Sequence, residues 1–307
     1  MHNKGLLLSG LILSIGVGFL SSSFFFFWSM LELNTLFFVG ILWGGVYSWG
    51  SLEALKYFLV QGVSSLLILG GVLFLSDLML MVGSLIKLGM TPFHMWALDV
   101  TMCCSWMNWG IFMSLQKFLP LELVSKVGSL SGYVGLLVGS GVLVSCLGSF
   151  HKSDLKILMF YSSLFNLSII LTCLEDTLSL VSLLGFYSLV LLSSLGILLG
   201  GDFKFFQQGQ EGSGGLFLCL LSLGGFPPSV GFFFKWFILW GVLANYSIIL
   251  SVLIVLGSLW MFYIYLSIFS SVLLVKESFL LSSEVSPQLK LFLSGQVLGS
   301  GILWAGL

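Results

Sequence analysis

Four charged side chains lie at positions where a lipid bilayer would surround them. Glu32, Lys87, Lys117 and Lys235 each fall inside an apolar stretch long enough to cross a membrane, or within a turn or two of one. A charged residue at that depth opposes insertion by roughly 2.5 to 3.5 kcal/mol, so such residues usually serve a function. Carboxylates and amines bind and release protons, and this placement therefore indicates proton chemistry inside the membrane.

The composition predicts a helical membrane protein. Hydrophobic residues make up 58% of the chain and charged residues 7%, and the mean hydropathy is +1.13. A membrane β-barrel would need short strands that alternate polar and apolar residues, whereas a stretch such as 249–265 is apolar on nearly every side. The net charge of −1 argues against a nucleic-acid partner, and all 11 basic residues are lysines, which removes the usual bidentate arginine clamp for phosphate.

Repeated apolar runs predict about eleven transmembrane helices with short connections. The excess of lysines in alternate loops places the N-terminus on the cytoplasmic or matrix side and the C-terminus on the opposite side. The short connections leave no room for a catalytic domain outside the membrane. The predicted spans are 5–22, 25–49, 54–75, 78–103, 105–125, 130–149, 154–174, 177–200, 214–241, 244–271 and 288–306.

Two of the predicted spans are interrupted. The fourth breaks at Pro92 and the ninth at Pro227 and Pro228, because proline removes a backbone donor and clashes with the preceding turn. Each break has a lysine beside it, Lys87 in the fourth span and Lys235 in the ninth. Interrupted helices at matching places in two halves are typical of transporters built from inverted repeats.

The predicted architecture is an all-α polytopic membrane protein with two five-helix inverted repeats, each containing a broken helix. The first repeat comprises residues 1–127 and the second 128–273, while residues 274–307 form a matrix-side loop and a last transmembrane helix. An odd number of helices in each repeat puts the second copy upside down in the membrane.

Three stretches of the sequence carry a resemblance to a known family. They are KLGMTPFHMW at 87–96, LKILMFYSS at 155–163 and GGFPPSVGFFFKW at 224–236. These stretches are similar to the antiporter-like subunits of respiratory complex I, the NADH-ubiquinone oxidoreductase, and the resemblance extends over nearly the whole chain. It implies a multi-pass protein of the mitochondrial inner membrane, with the N-terminus in the matrix and the C-terminus in the intermembrane space.

The resemblance also implies a role for the buried charges as a proton-transfer axis. Glu32 is expected to pair with Lys87, because a buried carboxylate and a buried ammonium are each costly alone. A close carboxylate favours the ammonium form of Lys87, and separation of the pair favours transfer of the proton to Lys117 through water. Lys235 would continue the axis at the boundary to a neighbouring antiporter-like subunit. His94 is a candidate relay or, equally, a structural histidine.

Other polar residues carry weaker expectations. Tyr161, Ser162 and Ser163 follow Lys156 on one predicted helix and could line a half-channel, although membrane hydroxyls also bond their own helix. The chain departs from the family at Asn166, because the family often has a histidine there, so no titratable group is expected at that position.

No cofactor or metal site is predicted on this chain. It has no dinucleotide-binding fingerprint, no histidine pair suited to haem, and 5 cysteines without a C-x-x-C pair. By resemblance, FMN and iron-sulfur clusters belong to partner subunits, and the partners are other membrane-arm subunits, lipids, protons and internal water.

Two alternative functions stay open at this stage. The chain could be a subunit of a multi-subunit sodium/proton antiporter, because the same fold and charges serve both activities. It could also be a structural assembly subunit whose charges no longer act. Dependence on sodium tests the first alternative, and methionine substitution of the lysines tests the second.

Overall fold

The computed structural model describes residues 2–44, 49–127, 131–150, 154–173, 177–199, 220–226 and 229–275. Within these ranges the regular elements are α-helices and two short 3₁₀ helices, Leu115–Lys117 and Leu171–Cys173. Residues 220–224 are also helical. The α-helices are α1 (His2–Phe19), α2 (Phe24–Trp43), α3 (Trp49–Leu73), α4 (Asp77–Leu88), α5 (Met95–Cys103), α6 (Trp106–Met113), α7 (Phe118–Lys126), α8 (Ser131–Gly148), α9 (Leu155–Ile170), α10 (Thr177–Leu199), α11 (Val230–Asn245) and α12 (Ile248–Val275).

The helical membrane fold predicted from composition is confirmed. Among the described residues, four helices are long and apolar enough to cross a bilayer: Phe24–Trp43, Leu52–Leu73, Leu155–Cys173 and Ile248–Ile268. Shorter apolar helices cover Lys4–Phe19, Tyr133–Gly148, Leu180–Leu192 and Val230–Asn245. Large apolar side chains are widely exposed along these helices, as expected where lipid is the solvent. The predicted eleventh span, 288–306, lies outside the described residues.

The chain divides into two compact units. The first comprises Met1–Leu137 together with Leu174–Thr177, and the second comprises Val138–Cys173 together with Leu178–Leu307. In the first unit α3 packs along α4, α2 packs against α1 and α3, and α7 contacts α4 and α1. In the second unit α11 packs against α12 and against the 3₁₀ helix Leu171–Cys173. The repeat boundaries predicted from the sequence stay a prediction.

Close packing of α3 on α4 depends on a small residue. A Cβ atom at Gly83 would lie 2.8 Å from Ile68 Cγ1 and 3.0 Å from the Ser64 carbonyl oxygen. Such distances are too short for ordinary carbon contacts, so only glycine allows the two backbones to approach this closely. This contact fixes α4, which carries Lys87, against the middle of α3.

The fourth predicted span is broken at the expected place. Helix α4 ends at Leu88, Gly89 adopts a left-handed conformation with φ of +63°, and α5 begins at Met95. The peptide bond between Thr91 and Pro92 is cis. The ninth span is broken in a similar way, because helical residues 220–224 end before Gly225, whose φ is +83°. Pro227 and Pro228 lie outside the described residues.

The fifth predicted span, 105–125, contains a third interruption besides the two predicted from the sequence. Helix α6 ends at Met113, a 3₁₀ helix follows at Leu115–Lys117, and α7 begins at Phe118. Pro120 explains the interruption, because it has no N–H to donate to the carbonyl of Gln116, four residues earlier. The Ser114 hydroxyl donates to the Gly110 carbonyl at 2.6 Å where α6 ends. The interruption places Gln116 and Lys117 in a short irregular turn inside the unit.

Candidate functional site

The first unit contains a charged pair between α2 and α4. Lys87 Nζ lies 3.1 Å from Glu32 Oε1, so the predicted contact between these residues is present. The Lys87 side chain is 1% exposed and the Glu32 side chain 28% exposed. The ammonium is therefore held inside the helix bundle, while the carboxylate keeps a partial opening to its surroundings.

The broken end of α4 leaves its last carbonyl groups without partners in their own helix, and each of them finds another donor. The Leu85 carbonyl accepts from the Met90 amide at 3.1 Å and the Ile86 carbonyl from the Gly89 amide at 3.0 Å. The Lys87 carbonyl accepts from Gln61 Nε2 at 3.3 Å. These bonds satisfy backbone groups that lipid or an apolar core could not, which is the condition for a helix break at membrane depth.

The last of these carbonyls, that of Leu88, accepts a hydrogen bond from Lys117 Nζ. Lys117 is 2% exposed, and its ammonium lies 4.6 Å from the centroid of the Phe112 ring. A cation at the C-terminal end of a helix interacts favourably with the helix dipole, and an aromatic face adds a further attraction. Lys117 is thus held at the helix break by the backbone and by an aromatic ring.

The second unit repeats this arrangement with a different lysine. The Leu221 carbonyl accepts from the Phe226 amide at 3.0 Å and the Ser222 carbonyl from the Gly225 amide at 3.3 Å. Lys235 Nζ donates to the Gly224 carbonyl at 2.7 Å, and Lys235 is 9% exposed. In each unit, a buried lysine therefore donates to the carbonyl directly before the left-handed glycine.

These backbone contacts match the lysines of the two units in a different way from their positions in the sequence. The sequence places Lys87 and Lys235 beside the two breaks, whereas the backbone contacts make Lys117 the counterpart of Lys235. Lys235 Nζ also lies 5.4 Å from the Phe165 ring centroid, as Lys117 lies over Phe112. Lys87 instead has a carboxylate partner.

A chain of neutral polar side chains adjoins the charged pair in the first unit. The Tyr57 hydroxyl donates to Gln116 Oε1 at 3.1 Å, and Gln116 Nε2 lies 3.4 Å from Asn34 Oδ1 and 3.5 Å from the Asn34 carbonyl oxygen. These three residues are buried and line a cavity of about 10 Å³ with Gln61 and Lys87. That volume suits about one water molecule. Neither Tyr57 nor Gln61 was among the candidate residues of the sequence, although both lie within one helix turn of other polar residues on α3.

A second cavity of about 10 Å³ lies in the second unit, beside Lys235. Its polar lining residues are Asn166, Tyr187, Ser222 and Lys235. The Tyr187 ring stacks on Phe234 with centroids 6.4 Å apart, which holds the tyrosine against the helix that carries Lys235. Asn166 is 4% exposed.

The weaker sequence candidates occupy ordinary structural positions. His94 stands at the start of α5, where its carbonyl accepts from the Ala97 amide at 3.1 Å. On α9, Tyr161 is buried, the Ser162 hydroxyl donates to the Met159 carbonyl at 2.9 Å, and the Ser163 hydroxyl donates to the Phe160 carbonyl at 2.6 Å. A relay role for His94 and a half-channel at Tyr161, Ser162 and Ser163 stay predictions. Within the described ranges, no group of three or more His, Cys, Asp or Glu residues could hold a metal ion.

No family model matches the chain, but several similar sequences share one family name. NADH-ubiquinone oxidoreductase chain 2 of Branchiostoma lanceolatum is 30% identical over 287 residues, which cover 84% of this chain and 82% of the relative. The chain belongs to the NADH-ubiquinone oxidoreductase chain 2 family. The chain 2 protein of Locusta migratoria is 27% identical over 301 residues, which cover 89% of this chain and 86% of the relative.

Solved structures share the fold of this chain 2 family member. Respiratory complex I from Thermus thermophilus with bound aureothin contains a chain with a TM-score of 0.78 and 21% identity, and the match covers 99% of this chain and 78% of the other. The Mrp complex from Dietzia contains a chain with a TM-score of 0.76 and 16% identity, and the match covers 86% of this chain and 59% of the other. The resemblance to a subunit of NADH-ubiquinone oxidoreductase is confirmed by the chain 2 relatives, and the solved structures show the shared fold.

Proposed function

We propose that this chain is a proton-translocating subunit of respiratory complex I and that it moves protons along Glu32, Lys87, Lys117 and Lys235. The observation that carries the proposal is the contact between Lys87 Nζ and Glu32 Oε1 at 3.1 Å, in which the lysine is buried. A charged pair in this setting is expensive to maintain without a function. Membership of the NADH-ubiquinone oxidoreductase chain 2 family supports the assignment to complex I.

The pair Glu32–Lys87 acts as the switch in this proposal. While the carboxylate stays near, it stabilises the ammonium form of Lys87. When Glu32 moves away, the buried ammonium loses its counter-charge, and transfer of its proton to Lys117 becomes favourable. The partly exposed position of Glu32 supports this order of events, because the accessible partner is the one that can move.

Lys117 and Lys235 hold protons at the two helix breaks. Each donates to a backbone carbonyl at the end of a broken helix, so each proton has a defined resting position. Lys235 delivers its proton toward a neighbouring antiporter-like subunit, and His94 is a candidate relay near the first break. Tyr161, Ser162 and Ser163 are candidates for a half-channel in the second unit.

Electron transfer takes place elsewhere in the complex. The proposal assigns NADH oxidation, with FMN and iron-sulfur clusters, to partner subunits, and it assigns to this chain the membrane step alone. The chain would lie in the mitochondrial inner membrane, with its N-terminus in the matrix and its C-terminus in the intermembrane space. The other membrane-arm subunits, lipids and internal water are its proposed surroundings.

A subunit of a sodium/proton exchanger is the second candidate. The Glu32–Lys87 pair and the buried lysines would serve cation exchange as well as redox-driven pumping, so the site geometry alone does not separate the two. The dependence of transport on sodium separates them.

The experiment is to purify the assembly that contains this chain and seal it in vesicles. NADH-driven quinone reduction and proton uptake are then measured with and without sodium, for the wild type and for Lys87→Met and Lys235→Met. Sodium-independent pumping that both substitutions abolish, in complexes that still assemble, is the expected result. Normal pumping in either variant refutes the axis. If the assembly lacks flavin and exchanges sodium for protons, the chain belongs to a sodium/proton exchanger instead.

A further inference from the structure

Lys87 and Lys235 share a local sequence feature. Glycine stands four residues before each of them, with Gly83 before Lys87 on α4 and Gly231 before Lys235 on α11. Residues four apart in an α-helix lie on the same face, about 6 Å or one turn apart along the axis. In each unit, the helix therefore has a glycine and the buried lysine on the same face.

Each of these two glycines lies against a backbone carbonyl group of a neighbouring helical segment. A Cβ atom at Gly83 would lie 3.0 Å from the Ser64 carbonyl oxygen on α3. A Cβ atom at Gly231 would overlap the Ser222 carbonyl oxygen and would lie 3.0 Å from the Ser222 carbonyl carbon. Among the helical glycines that the structure describes, only these two have a carbonyl oxygen of another segment among the nearest neighbours of such a Cβ.

The spacing by itself does not identify this arrangement, because it also occurs at Gly148 and Lys152 and at Gly200 and Lys204. A Cβ atom at Gly148 would meet the Tyr161 ring instead of a carbonyl group. Lys152, Gly200 and Lys204 lie outside the described residues. What distinguishes the first two glycines is therefore the backbone contact and not the spacing.

In the second unit the glycine and the lysine contact the same short segment. Gly231 lies against the Ser222 carbonyl, and Lys235 Nζ donates to the Gly224 carbonyl at 2.7 Å, two residues further along the segment. A Cβ atom at Gly231 would also lie 3.6 Å from Gly225 Cα. A larger residue in place of Gly231 would push the start of α11 away from this segment, and the lysine one turn later would move with it.

In the first unit the glycine sets the distance between α3 and α4. Gly83 lies against Ser64, and one turn later along α4 the Lys87 carbonyl accepts from Gln61 Nε2 at 3.3 Å. The same turn carries the Lys87 ammonium, which lies 3.1 Å from Glu32 Oε1 on α2. Because the Lys87 backbone is held against α3, the position at which its side chain meets Glu32 depends on how closely α4 approaches α3.

We propose that Gly83 and Gly231 are positioning residues for the lysines that follow them by one helix turn. Each glycine lets its helix lie directly on a carbonyl group of the neighbouring segment, and this contact fixes the depth and the rotation at which the ammonium meets its partner. The partner is the Glu32 carboxylate in the first unit and the Gly224 carbonyl in the second. Because the lysines are assigned to proton transfer, this role of the glycines rests on the proposed function.

The test compares alanine substitutions at the two glycines in density maps of the intact complex that resolve side chains. Gly83→Ala should lengthen the contact between Lys87 and Glu32 and leave the lysine contact of the second unit in place, whereas Gly231→Ala should do the reverse. The wild-type map should show each glycine Cα in contact with its serine carbonyl oxygen. A wild-type map without these contacts overturns the proposal, as does an alanine variant whose lysine contact keeps its wild-type length.

Proton uptake per assembled complex separates positioning from simple packing. Misplacement of a reacting group by about 1 Å can cost about a hundredfold in rate, so both alanine variants should pump at least about tenfold more slowly per complex. The matched controls are Gly62→Ala on α3 and Gly241→Ala on α11, because no atom lies within 4 Å of an added Cβ at either position. A glycine needed only for packing would change the yield of complex but not the rate of each complex. A control-like rate per complex in Gly83→Ala or Gly231→Ala would therefore overturn the proposal.

The two substitutions differ in severity. Gly231→Ala places a methyl group on backbone and can block assembly, whereas the nearest atom to a Cβ at Gly83 is Ile68 Cγ1 at 2.8 Å, which a side-chain movement can relieve. If the Gly231→Ala complex does not assemble, the Gly83→Ala complex and the wild-type map decide the question.

Failure of the positioning role is distinguishable from failure of the proposed function. If Lys87→Met and Lys235→Met pump normally, the proton axis is refuted, and the maps still show whether the glycines set the lysine contacts. If the methionine variants abolish pumping but the alanine variants pump like their controls, the axis stands and the positioning role alone is refuted.

Discussion

Lys235 Nζ donates a hydrogen bond to the Gly224 carbonyl at 2.7 Å. Gly224 directly precedes Gly225, the left-handed glycine at which the preceding helical segment ends. The corresponding carbonyl of the first unit, that of Leu88, accepts from Lys117. Each lysine therefore has a structural task at a helix break in addition to its proposed role in proton transfer. The Lys87 ammonium instead contacts the Glu32 carboxylate at 3.1 Å. Substitutions of Lys87 and of Lys117 are therefore expected to have different effects.

Substitution of Lys117 should lower the stability of the complex more than substitution of Lys87. Lys117→Met removes the donor to the Leu88 carbonyl and should lower stability by about 1 to 3 kcal/mol, the cost of an unsatisfied buried acceptor. Lys87→Met leaves the backbone bonds of the break in place and should change stability less. The measurement is the fraction of intact complex that survives graded heating, read from native gels. Equal heat sensitivity of the two variants would contradict a backbone role for Lys117.

Neutralisation of Glu32 should impair transport more than assembly. Glu32→Gln keeps a polar group near Lys87 but removes the charge, and coupled proton transport should fall about tenfold, as expected for loss of one charge-assisted hydrogen bond. The control is Asp99→Asn, because Asp99 lies 3.8 Å from Lys56 in a pair whose side chains are 58% and 47% exposed. Exposed pairs of this kind contribute about 0 to 1 kcal/mol, so Asp99→Asn should leave transport close to wild type. A larger transport defect in Asp99→Asn than in Glu32→Gln would contradict the proposed role of Glu32 as the switch.

A methyl group at Gly225 should disturb Lys235 directly. Gly225 has a φ of +83°, and an added Cβ would lie 3.0 Å from Lys235 Cδ and 3.3 Å from its Nζ. Gly225→Ala should cost about 1 to 2 kcal/mol from backbone conformation alone and should also slow pumping. Gly241→Ala is the matched control, since no atom lies within 4 Å of its added Cβ. Thermal survival and proton uptake of the two variants are compared in the same vesicles, and identical behaviour would rule out a positioning role for Gly225.

Loss of the Gln116 amide should destabilise the first unit. Gln116→Leu removes the acceptor of the Tyr57 hydroxyl and the donor that faces Asn34, and each buried group left without a partner costs about 1 to 3 kcal/mol. Ser64→Ala serves as the control, because the Ser64 hydroxyl donates to the Gln61 carbonyl on its own helix at 2.7 Å. The yield of assembled complex is the measurement. If both variants assemble equally well, the chain of Tyr57, Gln116 and Asn34 contributes little to the fold.

The sequence by itself determined the membrane class, the two helix breaks and the family. Hydropathy is a local property, so runs of apolar residues identify the helices without reference to their neighbours. Proline acts on the backbone that immediately precedes it, and this local effect made the break at Pro92 predictable. The interruption at Leu115–Lys117 follows from Pro120 by the same rule and could have been found from the sequence.

Only the tertiary structure decided which polar groups meet. Lys87 and Glu32 are 55 residues apart in the chain, Lys117 and Leu88 are 29 apart, and Gln116 and Asn34 are 82 apart. Sequence spacing placed Lys87 and Lys235 beside the breaks, but the carbonyl contacts pair Lys117 with Lys235. The physical reason is that the partner of a side chain on one helix depends on the rotation and depth of its neighbours, and these are set by packing contacts such as that of Gly83 on α3.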